Sequence, residues 1–299
     1  MGGIQKEGLY PSPGRLVWNA VRVLPPLLLL IFIACDKIIL PPPPPEEVGN
    51  PCDPSSSSFI SPEAVIISPT GGEEFSQDSV TITWRAGTTR CSHLFRSRLD
   101  GGAWTSWSTF TNRTLEHLDD NLPGENYVFE VQAAYDPSHS SMVQTTPTSV
   151  QFTVDAVDGP SFRLSPLYSE GSSSDVFGLD LIAEEVDALM MVKAVITFDP
   201  NLVKVSWWEF GYFLTTNGGT LLSYDQTDNI SGRFEINLSV VDAAPEGVTG
   251  SGKLITIHFQ GQTTGLAAID FDIANTLMRN PYNQPITVLQ RVGAEIWLY

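Results

Sequence analysis

Apolar and polar side chains alternate strictly in Phe234-Glu-Ile236-Asn-Leu238-Ser-Val240. That two-residue period belongs to a strand with one buried and one wet face. Ile255, Ile257 and Phe259 repeat it around Thr256 and His258. Val192–Phe198 is richer in β-branched residues and ends at Asp199-Pro200-Asn201, after which Leu202 starts another apolar run. Branched and aromatic side chains suit a pleated surface, whereas Asp-Pro-Asn sets a turn through the fixed proline φ and short capping side chains. Read this way, residues 161–299 hold nine strands: Ser161–Leu164, Val176–Ile182, Met191–Phe198, Leu202–Ser206, Leu221–Tyr224, Phe234–Val240, Lys253–Phe259, Ala267–Phe271 and Gly293–Leu298. Residues 62–156 hold seven: Ala64–Ile67, Val80–Trp84, Leu94–Leu99, Trp104–Phe110, Thr114–Leu118, Tyr127–Ala133 and Ser149–Val154. No segment carries a sustained helical period, and no internal repeat is evident. The pattern predicts an all-β chain of two sandwiches joined by a linker at 157–160.

The first 61 residues read differently. Arg15 and Arg22 precede the apolar run Leu27–Ala34, which stops at Cys35. The run from Val21 to Ala34 is interrupted by Pro25 and Pro26 and falls short of the about 20 residues needed to span a bilayer. It resembles a bacterial lipoprotein signal over residues 1–35, which implies lipidation of Cys35 and a membrane attachment through lipid alone. Residues 36–61 then read as a stalk, stiff through Pro41–Pro45 and flexible through Ser55–Ser58.

Composition narrows the function. A formal net charge of −18 over 299 residues argues against nucleic acid as a partner, because phosphates demand a basic face. The 42% hydrophobic content supports packed cores rather than disorder. With Cys35 assigned to lipid, Cys52 and Cys91 remain as an even pair in an oxidising compartment, a candidate disulfide whose separation the sequence does not give. His93, His117, His139 and His258 have no metal-ligand spacing, and His258 falls on the wet side of its strand. No nucleophile elbow, phosphate loop or zinc signature occurs, so neither catalysis nor a cofactor is expected.

Two stretches resemble known families. Leu122-Pro-Gly-Glu-Asn-Tyr127, with Val-Phe-Glu-Val131 after it, resembles the tyrosine corner of fibronectin type III domains. That implies a Tyr127 hydroxyl bonded back to the chain, and Trp84 as the core tryptophan of an early strand. Phe198-Asp-Pro200, Gly211-Tyr-Phe-Leu214 and Gly250-Ser-Gly-Lys253 with the strand to Phe259 resemble a cohesin domain. The resemblance implies a nine-stranded jelly-roll sandwich over 161–299 that docks a calcium-loaded dockerin and performs no chemistry. It places family contact positions at Met191 and Lys193, where cohesins carry Asn and Asp, so the classical dockerin specificity is not carried over and a more apolar variant face is the alternative. Glu235, Asn237 and Ser239 offer a neighbouring polar contact surface.

Trp207, Trp208 and Tyr212 admit two readings. Aromatic faces stack on sugar rings, so the three form a candidate polysaccharide platform. The cohesin resemblance instead sends Phe213 and Leu214 into the core and leaves a tryptophan at the rim. Trp104 and Trp107, three residues apart, are expected to pack across strands. The chain thus reads as a lipid-anchored docking protein of the bacterial envelope, facing periplasm or exterior. A carbohydrate-binding lipoprotein and a structural spacer are the alternatives.

Overall fold

The computed structural model describes residues 49–242 and 246–299. The signal segment, Cys35 and the Pro41–Pro45 run lie outside the described residues. Seven strands make the first sandwich: β1 (Ala64–Ser68), β2 (Glu73–Phe75), β3 (Val80–Ala86), β4 (Leu94–Leu99), β5 (Asn112–Leu115), β6 (Tyr127–Ala134) and β7 (Thr148–Val154). One sheet runs β1-β3-β5 and the other β2-β7-β6-β4. Alternation in β3 turns Val80, Ile82 and Trp84 inward. There the Trp84 indole lies 6.3 Å from the Phe95 ring and 6.0 Å from the Phe129 ring. Such aromatic contacts add directional stability to the area they remove from water.

Trp104–Phe110 is not a strand. It runs beside β4 through the Thr105 amide to the Ser97 carbonyl and a two-way bond between Phe95 and Ser108. The two tryptophans pack on arginines of β4 rather than on each other across strands. The Arg96 guanidinium sits 4.7 Å from both the Trp104 and Trp107 rings, and Arg98 sits 4.4 Å from Trp104. Each such contact adds about 0.5–1 kcal/mol at an exposed site. β2, only three residues long and parallel to β7, carries too little pattern to be read beforehand.

Residues 49–60, expected as the loose end of a stalk, fold onto this sandwich instead. Ile60 N–H donates to the Pro51 carbonyl, and the Tyr135 hydroxyl donates to the Ile60 carbonyl. Phe59 meets the Tyr135 ring edge-on at 6.3 Å. A disulfide joins Cys52 to Cys91 with Cα atoms 5.8 Å apart. Polar composition suggested flexibility, but one aromatic and one cysteine provide enough to fix the segment.

The second sandwich holds β8 (Ser161–Ser165), β9 (Tyr168–Gly171), β10 (Val176–Leu189), β11 (Met191–Phe198), β12 (Val203–Phe210), β13 (Thr220–Asp228), β14 (Arg233–Val241), β15 (Val248–Gly261), β16 (Gly265–Phe271), β17 (Leu277–Arg279), β18 (Pro285–Ile286), β19 (Arg291–Val292) and β20 (Ala294–Leu298). The smaller sheet is β12-β15-β10-β8-β19; the larger runs β13-β14-β11-β16-β20-β9, with β17 on β11 and β18 on β17. Nearly all pairs are antiparallel, and the inward residues of both sheets share one core that includes Leu181, Ile196, Phe234 and Phe259. β10 and β15 run longer than predicted because irregularities near Glu185 and Ala188, both at positive φ, let the pairing resume beyond them. The chain is all-β, two sandwiches in sequence.

Charged groups bridge the sandwiches. Arg163 on β8 is 1% exposed, donates from Nε to the Glu184 carboxylate at 2.7 Å and from Nη2 to the Asp120 carbonyl at 2.9 Å. Asp119 accepts from the Leu167 amide at 2.8 Å, while its own carbonyl accepts from the Tyr127 hydroxyl at 2.9 Å. The hydroxyl bond that the tyrosine-corner resemblance implied therefore sits where the first sandwich meets the second. Burial pushes the Asp119 carboxyl up to about 6, against the opposing pull of the Leu167 amide and the Arg163 charge. A cavity of about 650 Å³ opens beside this joint, lined by Asp100, Asp119, Glu125 and Arg163 among others.

Candidate docking face

β11, β14 and β13 lie side by side in unbroken antiparallel register. Met191 faces Ser239 and Lys193 faces Asn237, while across the other edge Leu222 faces Ser239 and Tyr224 faces Asn237. Alternation decides what shows. Val192, Ala194, Phe234, Ile236 and Leu238 turn into the core, so Met191, Lys193, Glu235, Asn237 and Ser239 share the outer surface. All five residues read from the sequence are thereby brought onto one face.

The face is held by a charge network. Lys193 Nζ lies 2.9 Å from one Glu235 oxygen and Arg233 Nη2 lies 2.9 Å from the other. Asn237 donates to Glu235 at 3.1 Å. The Lys193 ammonium foremost, then Asn237, holds the Glu235 carboxyl below its ordinary range. Two cations and an amide thus fix the orientation of this carboxylate on the face. Among the described residues no group of three or more His, Cys, Asp or Glu side chains is placed to hold a metal ion.

Three members escaped the sequence reading. Leu222 is 52% exposed, Tyr224 is 62% exposed, and Arg233 completes the ion pairing. The signal was present in part: Leu222, Tyr224 and Gln226 hold alternate positions out of phase with Leu221. The short predicted strand Leu221–Tyr224 concealed it, because Ser223, Asp225 and Thr227 on the other phase are polar and exposed. Val195 also falls on the outer side, yet it is fully buried where Thr276 and Asp272 bond its amide and carbonyl.

The aromatic run beyond the face does not set its two tryptophans side by side as the sugar-binding reading of Trp207, Trp208 and Tyr212 pictured them. β12 pairs Trp207 with His258 and Trp208 with Ile257, so the two indoles project to opposite sides of the sheet. Trp207 stacks on His258, ring centres 4.3 Å apart and 16° from parallel. Trp208 packs against the core and meets the Phe210 ring edge-on. Tyr212, 84% exposed, stands on the turn that follows. His258, expected to face solvent, is covered by Trp207 and lies 3.5 Å from the Glu209 carboxylate. Leu214 enters the core and Phe213 packs at its margin. Phe213 crosses directly over Gly252, where a Cβ would overlap its ring; at Gly211 a Cβ would overlap the Lys253 carbonyl. The two glycine motifs quoted from the sequence are thus one packing contact.

No family model matches the chain, and no curated protein matches it. Among solved structures it is similar to the second type II cohesin module from the adaptor ScaA scaffoldin of Acetivibrio cellulolyticus. That match has 12% identity and a TM-score of 0.41, covering 46% of this chain and 90% of the other. It is similar to a type I cohesin–dockerin complex from Clostridium thermocellum, at 13% identity and TM-score 0.38, covering 46% of this chain and 98% of that one. A non-cellulosomal cohesin from the archaeon Archaeoglobus fulgidus also resembles it, at 11% identity and TM-score 0.38, covering 46% and 90%.

Proposed function

We propose that the chain is a non-catalytic docking protein whose second sandwich binds a protein partner on the β11–β14–β13 face. The observation that carries this reading is the joint display of Leu222 and Tyr224 beside the Lys193–Glu235–Arg233 network on an open sheet face. A few apolar anchors bordered by satisfied polar groups are what a protein interface uses, and a sheet face supplies them without strain. The sequence resemblance to cohesins supports a dockerin-type partner. Met191 and Lys193 in place of Asn and Asp put a thioether and a cation where the family carries an amide and an anion, which sets the specificity of the face apart.

On this reading residues 1–35 are a lipoprotein signal with lipid on Cys35, and the first sandwich is a fibronectin type III-like spacer. The tyrosine-corner bond of Tyr127 and the buried Trp84 support the spacer assignment. The protein then holds its partner at the bacterial envelope, with a link to polysaccharide degradation through whatever enzyme the partner carries.

The test is capture from the source organism's secretome by the full chain, with and without calcium chelation. Recovery of a protein carrying a duplicated calcium-loop segment, lost on chelation and with Tyr224→Ser, would establish docking on this face. Retention on polysaccharide with no protein partner would replace it with sugar binding, and capture of nothing would leave a spacer.

A further inference from the structure

The other end of the larger sheet presents a second surface. β16, β20 and β9 lie side by side, with Leu266 opposite Trp297, Ala268 opposite Glu295, and Trp297 and Glu295 opposite Glu170 and Tyr168. Ala267, Ile269, Ile296 and Leu298 face the core, so this set faces outward. Leu266 and Trp297 are each 45% exposed and form one apolar step. Tyr168 is steadied by the His117 ring of the first sandwich, stacked 5.5 Å away. Next to them opens a cavity of about 410 Å³ whose lining includes Asp78, His117, Asp270 and Glu295.

The charges here are of one sign. β9, β16 and β20 contain no Lys or Arg. None of the ion pairs among the described residues engages Asp78, Glu170, Asp270 or Glu295. The nearest cation along the chain, Arg291, donates instead to the Thr276 and Val288 carbonyls. Carboxylates sharing a surface repel one another, and a cation arriving between them relieves that repulsion. The aromatic faces favour the same charge, since an ammonium or guanidinium over an indole gains cation–π energy. The carboxylates are not clustered as metal ligands are. The fit is therefore to a larger organic cation with apolar neighbours.

We infer that the β16–β20–β9 surface docks an extended segment of a partner protein in which an arginine or lysine enters the acidic cavity and flanking apolar side chains cover Leu266 and Trp297. An extended peptide shows residues i and i+2 on one face, and the same two-residue step separates the outward Glu295 from the outward Trp297 along β20. A neutral saccharide stacking on Trp297 would leave the carboxylates uncompensated, which is why the cationic peptide is favoured. This surface adjoins the β11–β14–β13 face, since β16 pairs with β11, but it uses none of that face's residues, so its test does not depend on that face.

The test measures fluorescence anisotropy of a labelled nonapeptide, added to the full chain, in which arginine and leucine take turns at every second position with serine between them, so that one face of the extended peptide carries both. A second peptide carries citrulline in place of arginine. Binding of the arginine peptide is expected to weaken about tenfold with Trp297→Ala and with the isosteric pair Glu295→Gln and Asp270→Asn. Citrulline is expected to abolish it, and Tyr224→Ser on the other face to leave it unchanged. Equal binding of the two peptides, indifference to Glu295→Gln with Asp270→Asn, or an equal loss with Tyr224→Ser would overturn the assignment. So would retention of soluble oligosaccharides, lost with Trp297→Ala, by a chain that ignores the arginine peptide.

Discussion

Arg163 and Glu184 form an ion pair at 2.7 Å with side chains only 1% and 4% exposed. A guanidinium taken this far out of water loses several kcal/mol of hydration, which the pair recovers through geometry and further hydrogen bonds. Arg163 supplies one such bond across the boundary, to the Asp120 carbonyl. Removing one partner leaves the other charge buried alone. Arg163→Ala is therefore expected to cost about 3–5 kcal/mol in denaturant unfolding. The double change Arg163→Met with Glu184→Leu removes both charges and should cost clearly less. An equal cost for both would show that lost packing, not an uncompensated charge, dominates.

The same joint gives stability a pH dependence. Burial pushes the Asp119 carboxyl up to about 6 in the folded chain, from an ordinary value of 3.8. Below about pH 4 both states are protonated, and no difference arises. Between about pH 4 and 6 the folded state binds the extra proton, so stability falls as pH rises through this window. Above it the full penalty is present, up to about 3 kcal/mol for a displacement of this size. Asp119→Asn keeps an acceptor for the Leu167 amide without the charge. It is expected to be more stable than the parent at pH 7.5 and equal to it at pH 4, read from unfolding midpoints across that range.

Cys52 and Cys91 close a loop with a sequence separation of 39 residues. In the chain-entropy description, releasing such a loop in the unfolded state removes about 4 kcal/mol of stability. Reduction with a thiol, or Cys52→Ser with Cys91→Ser, should lower the unfolding transition of the first sandwich. It should also open residues 49–60 to proteolysis ahead of the remaining chain. Protease resistance unchanged on reduction would mean that Phe59 and the Tyr135–Ile60 bond hold the segment unaided.

Gly211 and Gly252 show what a sequence can disclose and what it hides. Their motifs were legible as a resemblance, but their reason lies in tertiary contact: one backbone crosses Lys253 and the other admits the Phe213 ring. Both sandwiches were readable because period-two alternation is local. β2, β9, β17, β18 and β19 were not, being two to four residues long and too short to express a period. Of the docking face, the residues on β11 and β14 were read from alternation and resemblance. Leu222 and Tyr224 lay inside the predicted strand Leu221–Tyr224, but the polar, exposed residues on its other phase left no alternation to show which side they faced. The aromatic run misled for a related reason, since adjacent residues of a strand cannot share a face. Gly211→Ala should accordingly destabilise the second sandwich by about 1–3 kcal/mol through overpacking, measured by chemical unfolding, and leave the first sandwich's transition in place.

Tyr224 and Leu222 supply the decisive prediction for the docking face. Both stand exposed on an edge strand, so replacing them removes little folding energy; Leu222→Ser with Tyr224→Ser should shift thermal unfolding only slightly. If the face binds, they are its apolar anchors, and truncating anchors at an interface commonly costs about 2 kcal/mol or more, roughly thirtyfold in affinity. Lys193→Ala acts differently. It removes a charge from the Glu235 network near the rim, where the effect falls mainly on association rate and salt dependence. Kinetics of the captured partner against these variants by surface plasmon resonance separate the two roles. The serine pair should raise the dissociation rate at every ionic strength. Lys193→Ala should alter the association rate at low salt and converge on the parent as salt is added. A dissociation rate indifferent to the serine pair would move the binding site away from this face.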